Sequence, residues 1–385
     1  MAANRVARHA LQSMTQAEQH ALRVKYPVRR DWEVAEVRSL FEMPLLELVY
    51  AGASAHRAYF SPSQVQRCTL LSIKTGGCAE DCSYCSQSSK YKTDVKAEKL
   101  MDGADVLEAA RNAKASGSTR FCMGAAWRGV SSAGKNQFNR VLDMISEIRA
   151  MDMEVCATLG MVNEEQASRL KQAGLTAYNH NIDTSEEYYP KVISTRSFQD
   201  RLQTLQAVRS AGLSVCCGGI IGMGETDDDR VSMLHTLATL PAHPESVPIN
   251  ALVANKGTPF EDMKPLEPIS LVRMIATARI VMPASMVRLS AGRNSLGSIE
   301  QALCFLAGAN SIFTGDKLLT TPNVKINEDE ALFSMLGLHG KKPFGGEATQ
   351  AKEWTEKSTV HIPDPERQGL GEDNEKVAAR GSATL

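Results

Sequence analysis

From residue 66 to residue 315, short β-rich runs alternate with stretches of helical period, and the alternation repeats eight times. CTLLSIK (68–74) leads into VLEAARNAKASG, TRFCMGAA (119–126) into FNRVLDMISEIRAM, EVCATLG (154–160) into EEQASRLKQAG, and AYNHNID (177–183) into FQDRLQTLQAVRSAG. SVCCGGIIG (214–222) then precedes DDDRVSMLHTLATL, SVPINALV (246–253) precedes SLVRMIATARIV, MVRLSAG (286–292) precedes SIEQALCFLAGA, and SIFTG (311–315) closes the series. In the fourth helix Phe198, Leu202, Leu205 and Val208 fall on one face. Gly117, Gly174 and Gly212 stand where a left-handed cap would end a helix. Eight right-handed βα units closing on themselves make a TIM-type (β/α)8 barrel, an α/β fold whose reactive groups sit at the C-terminal ends of the strands. A doubly wound open sheet is the alternative.

The flanks differ in composition. Residues 1–31 form a basic extension, with six Arg or Lys up to Arg30 against the single acid Glu18. That pattern suits a mitochondrial leader in a eukaryote and, equally, a frayed terminus on a bacterial cytoplasmic protein. Residues 32–65 read as a helical cap over one end of the barrel (66–339), and 340–385 are polar and Gly-punctuated, as expected of a flexible tail. Across the 385 residues, 43 Lys and Arg meet 44 Asp and Glu. This near-neutral balance predicts no attraction to nucleic acid or to an anionic membrane surface. No apolar run reaches the roughly 18 residues a membrane span requires.

Nine cysteines in a chain without a secretory signal are expected as thiols or metal ligands rather than disulfides. Three of them, Cys78, Cys82 and Cys85, lie in TGGCAEDCSYCSQSS, right after the first strand. Structural zinc wants four protein ligands, and the nearest histidines are His56 and His180. An iron–sulfur cube held at three corners would instead leave one iron open to a small ligand.

Strand alternation locates further polar groups. In AYNHNID, Asn179, Asn181 and Asp183 share one face; in MVRLSAG, Arg288 and Ser290 do. With the apolar residues toward the helices, these point into the lumen, where an unpartnered amide, carboxylate or guanidinium would be costly. The same parity turns Cys122 and Cys156 inward, and Val215 on the outer side leaves Cys216 as the inward member of the Cys216–Cys217 pair. Inward thiols beside Arg288 could hold a second cluster or could simply fill core. Cys68, Cys217 and Cys304 are read as structural thiols; Lys74 and Arg120, near the strand ends, could neutralise anionic groups or be solvated surface charges, and are assigned no role.

C-x-x-x-C-x-x-C with Tyr84 before its last cysteine, after the first barrel strand, resembles the radical S-adenosylmethionine superfamily. LLSIKTGGCAEDCSYCSQSS, STRFCMGAAW, AYNHNIDTS, GGIIGMGET, HPESVPINALV, VRLSAGR and CFLAGANSIFTGDKLLTTPN, in this order, resemble the biotin synthase family within it. The resemblance implies an enzyme that inserts sulfur into dethiobiotin to form biotin. It implies a [4Fe-4S] cluster on Cys78, Cys82 and Cys85, and a [2Fe-2S] cluster at Cys122, Cys156, Cys216 and Arg288, Arg288 being either a ligand or a charged neighbour. S-adenosylmethionine would meet Tyr84, Asn181, Asp183, Gly222 and Glu225, and dethiobiotin Asn181 and Asn250. An electron donor such as flavodoxin or ferredoxin, the iron–sulfur assembly machinery and a second copy of the chain are the implied partners. Another radical enzyme of the same fold, or an iron–sulfur sensor without catalysis, would share the three-thiol loop.

Overall fold

A computed structural model describes residues 14–344; the expected tail from 345 on and the first 13 residues of the basic extension lie outside the described residues. The strands of the barrel are β1 (Gln64–Lys74), β2 (Arg120–Ala125), β3 (Glu154–Thr158), β4 (Ala177–Asn179), β5 (Ser214–Cys216) with its continuation β6 (Gly219–Ile221), β7 (Ser246–Ala251), β8 (Met286–Leu289) and β9 (Ser311–Phe313). Each pairs in parallel with the next around the ring, and β9 returns to β1 through Gln66↔Ser311 and Cys68↔Phe313. That last pairing closes the sheet and excludes the open alternative.

The fifth strand is split in two. Cys216 pairs with Ser246 and Gly219 with Ile249, leaving a gap opposite Val247 and Pro248. Pro248 has no N–H to contribute to a ladder, which accounts for the interruption. Gly218 lies in the gap, where a β-carbon would stand 2.0 Å from the Pro248 carbonyl oxygen. Only glycine lets the chain pass so close.

Outward residues of the strands, among them Phe121, Met123, Val155, Tyr178, Val215, Ile249, Val287 and Ile312, are buried in one continuous core against the helices. Each large apolar side chain so buried stabilises the fold by about 1.5–3 kcal/mol. Helix Lys135–Ala150 shows the matching face in Phe138, Val141, Ile145 and Ile148. Asn163, Ser197 and Thr226 open three helices with capping boxes. Gly117, Gly174 and Gly212 take φ of +83°, +95° and +69° where three helices stop.

Residues 32–60 are helical, as Val34–Phe41 and Leu45–Tyr59, but their partners are the outer helices Asp227–Thr239 and Pro268–Val281 rather than the strand ends. Gly52 explains the docking: a β-carbon there would be 3.2 Å from the Ala276 Cα, so the helices touch backbone to backbone. Past the barrel, His339–Gly340 adds a short parallel pairing to Gln64–Val65 of β1, so the polar end begins with an ordered contact. Among the described residues, no helix is long and apolar enough to cross a membrane.

Candidate functional site

The loop after β1 is folded by its own backbone. Gly76 and Gly77 take φ of +66° and +68°, and a β-carbon on Gly76 would lie 2.7 Å from the Lys96 carbonyl oxygen. The Cys78 N–H donates to the Gln87 carbonyl (3.0 Å), Ser89 N–H to the Cys78 carbonyl (2.7 Å), and Cys85 N–H to the Cys82 carbonyl (2.9 Å). All three cysteines are free thiols. Burial pushes Cys82 up to about 11 and Cys85 up to about 12, and raises Cys78 as well. Metal binding at this loop must therefore expel protons. Among the described residues no three His, Cys, Asp or Glu side chains converge on a site for a single ion. A cluster spreads its cysteines over separate irons and needs no such convergence.

Two acids inside the motif, which the sequence reading passed over, fasten this loop to residues 194–196. Asp81 accepts from the Ser194 N–H (2.9 Å) and Thr195 N–H (3.1 Å). Buried Glu80 accepts from the Thr195 hydroxyl and faces Arg128 (3.4 Å) and Arg196 (3.9 Å). Arg196 also reaches the Cys82 sulfur at 3.8 Å.

Beside the loop, the Tyr84 hydroxyl donates to Asp183 Oδ2 (2.9 Å), and Arg201 from the following helix forms a buried ion pair with the same oxygen. Asp183 itself takes φ of +69°, a left-handed conformation unusual for a non-glycine residue. Asn181 accepts from the Gly218 N–H (3.2 Å) and stays partly exposed to the lumen. Asn250 donates to the Gly219 carbonyl (2.9 Å) and accepts from the Ala291 N–H (3.2 Å). Gly222 has φ of +94°; its N–H and that of Met223 donate to the Glu225 carboxylate at 2.8 and 2.7 Å, and Arg230 pairs with it at 2.8 Å. Glu225 thus shapes its own turn. Tyr84 and Asp183 are brought into contact, whereas Glu225 spends both oxygens on its loop.

Deeper in the lumen, Cys122 and Cys156 are Cα partners across β2 and β3. Cys216 faces them from β5, 3.6 Å from Arg288 Nη1, while Cys217 joins the outer core. Cys304 is buried in helix Ser298–Leu306. Cys68, read as a structural thiol, is buried and packs with Cys122 and Cys156, 3.3 Å from Arg288 Nη2. Burial raises its thiol, but the hydrogen bond with Cys122 and the Arg288 charge outweigh this and hold it down at about 6. Arg120 is not a solvated charge. It is buried, and its Nε donates to buried Glu154 at 2.8 Å, with Gln66 bonding the same oxygen at 3.0 Å. Arg120 and Glu154 stand two residues before Cys122 and Cys156 and fill the N-terminal end of the lumen.

Residues 72–237 match the Radical SAM superfamily, and 248–339 match the Biotin and Thiamin Synthesis associated domain. The mitochondrial biotin synthase of Arabidopsis thaliana is 61% identical over 329 residues, which is 86% of this chain and 87% of the relative. The chain belongs to the biotin synthase family. The biotin synthase of Schizosaccharomyces pombe is 54% identical, covering 88% of this chain and 93% of its own. The barrel itself is shared more widely: methylornithine synthase superposes with a TM-score of 0.70 at 17% identity, over 87% of this chain and 99% of that one.

Proposed function

We propose that this biotin synthase family member converts dethiobiotin to biotin by S-adenosylmethionine-dependent sulfur insertion. The observation that carries the reading is the pairing of two thiol sets in one barrel: a trio on a loop at the mouth and an inward group beside Arg288. The donor sets fit the family's cofactors. Cys78, Cys82 and Cys85 would hold the [4Fe-4S] cluster, and Cys122, Cys156 and Cys216 the [2Fe-2S] cluster. When bound, these clusters and S-adenosylmethionine supply the one-electron chemistry that no side-chain acid or base can perform, and the sulfur itself.

The chain's own residues position and exclude. Asp183 offers a carboxylate to ribose hydroxyls, held at its angle by Arg201 and Tyr84. Asn181 and Asn250, which also bond the backbone at Gly218, Gly219 and Ala291, would contact dethiobiotin. The turn at Gly222–Glu225 would border the adenosyl group. Closed walls keep water from the reacting carbons.

Residues 66–339 act as the catalytic barrel; the basic N-terminal segment serves as a mitochondrial leader if the source is a eukaryote, as the mitochondrial relative supports, and belongs to a cytoplasmic chain if it is bacterial, with helix Gln16–Lys25 packed on Leu45–Tyr59 in either case. A flavodoxin- or ferredoxin-type donor, the iron–sulfur assembly machinery and a second copy of the chain complete the set of partners. The test is anaerobic reconstitution with iron and sulfide, followed by turnover with dethiobiotin, S-adenosylmethionine and reductant. Biotin and 5'-deoxyadenosine should form together; adenosyl product without loss of dethiobiotin would assign the chain to another substrate.

A further inference from the structure

We propose that Arg196 and Glu80 act as an opposed pair on the Cys82 sulfur and set how readily the loop cluster accepts an electron, the guanidinium favouring the reduced state and the carboxylate working against it. The proposal rests on the reading that Cys78, Cys82 and Cys85 hold the [4Fe-4S] cluster. The contrast between Arg196 and Arg201 carries it. Arg201 is fully engaged: its Nε donates to the Tyr189 hydroxyl (2.9 Å), Nη1 to the Asn181 carbonyl (2.7 Å) and Nη2 to the Asp183 carboxylate. Arg196 is not. Its side chain is only 8% exposed, its Nε has no hydrogen-bond partner among the described residues, and its one hydrogen bond there runs from Nη2 to the Cys82 sulfur at 3.8 Å.

Glu80 stands between Cys78 and Cys82 in the motif and faces Arg196 Nε at 3.9 Å, beyond hydrogen-bond length. Its Oε1 bonds nothing among the described residues, with Arg128 3.4 Å away. Asp81 already fastens the loop, accepting from the Ser194 and Thr195 N–H groups, so the buried Glu80 charge is not needed as an anchor. The Arg196 guanidinium is thus only partly neutralised, and what remains of its charge lies against a sulfur that the iron would share. Reduction adds a negative charge to the cluster and its sulfurs. A cation donating to one of those sulfurs stabilises that added charge, and a carboxylate behind it offsets the gain. Both residues act through Cys82, as positioning residues, and their removal should move the potential in opposite directions.

The test is a redox titration of the full chain, reconstituted with iron and sulfide without oxygen and free of S-adenosylmethionine, followed by electron paramagnetic resonance of the reduced loop cluster and scaled to its iron content. The same titration of a chain carrying Cys78→Ala, Cys82→Ala and Cys85→Ala identifies and subtracts any inner signal. Arg196→Gln should make reduction about tenfold less favourable, a midpoint lower by ~59 mV for one electron, and Arg196→Lys, which keeps the charge, should stay near the parent. Glu80→Gln should shift the equilibrium by a similar factor in the opposite sense. A merely structural role predicts weaker cluster binding in both variants and no opposed shifts. An unmoved midpoint in Arg196→Gln, or shifts of the same sign in Arg196→Gln and Glu80→Gln, would overturn the proposal. Should Arg196→Gln fail to assemble, Glu80→Gln decides alone, and a midpoint that does not rise overturns it. A four-iron signal that survives the triple substitution at full intensity would instead sink the loop-cluster reading, and the proposal with it.

Discussion

Cys78, Cys82 and Cys85 share one loop, whereas Cys68, Cys122, Cys156 and Cys216 come from four strands spread over nearly 150 residues. The loop set keeps its place through backbone bonds within residues 76–89 and through the grip of Glu80 and Asp81 on residues 194–196. The strand set keeps its place because the barrel is closed: Cys122 and Cys156 are ladder partners, and Arg288 reaches across to both Cys68 and Cys216. A loop can shift to admit an exchangeable ligand at its open corner. A ladder cannot, and holds its thiols at one fixed spacing while ligands at the loop exchange.

Substitutions can pull this contrast apart. Cys78→Ala should have the largest effect, taking S-adenosylmethionine cleavage to background while inner iron remains. Cys156→Ala should do the converse, sparing 5'-deoxyadenosine formation while biotin disappears; equal loss of both products would mean the two sets act as one. Asp183→Asn should weaken S-adenosylmethionine binding by roughly 10- to 100-fold in equilibrium dialysis, since a hydrogen bond to a charged group is worth about 1.5–3 kcal/mol. Glu80→Gln should lower thermal stability by about 1–3 kcal/mol, the cost of leaving buried polar groups poorly paired, and reduce outer but not inner iron uptake.

A last effect concerns the scaffold behind both sets. Burial, reinforced by nearby arginines, holds His56 and His180 well below the usual histidine range. The unfolded chain takes up a proton near 6.5 at each and the folded chain does not, so stability falls as pH drops below that value. The slope approaches about 1.4 kcal/mol per pH unit for each histidine. Thermal melts of the metal-free chain between pH 7 and pH 5 should show it, and His180→Gln should remove one histidine's share.

What could be read in advance follows from how local each signal is. The barrel was legible because eight β-rich runs and their glycine-stopped helices are contiguous patterns, and the loop thiols because three cysteines within eight residues constrain one another. Cys122 and Cys156 were legible through apolar neighbours that fixed their parity. Cys68 was not: CTLLSIK is apolar on both faces, with Leu70 against the thiols and Ile73 in the outer core, so polarity could not choose a side. Arg120 could not be assigned because its partner, Glu154, lies 34 residues away and meets it only through β2–β3 register. Arg201 was missed for the same reason, its carboxylate partner lying on the segment before its own helix.

The Arg120–Glu154 pair at the foot of the lumen carries a consequence for upkeep. Both side chains are buried, so the strand starts behind the deep thiols are filled, while the three-cysteine loop follows the far end of the first strand. Iron and sulfur bound for the proposed inner site would then arrive past that loop, and repair would compete with nucleotide binding for one approach.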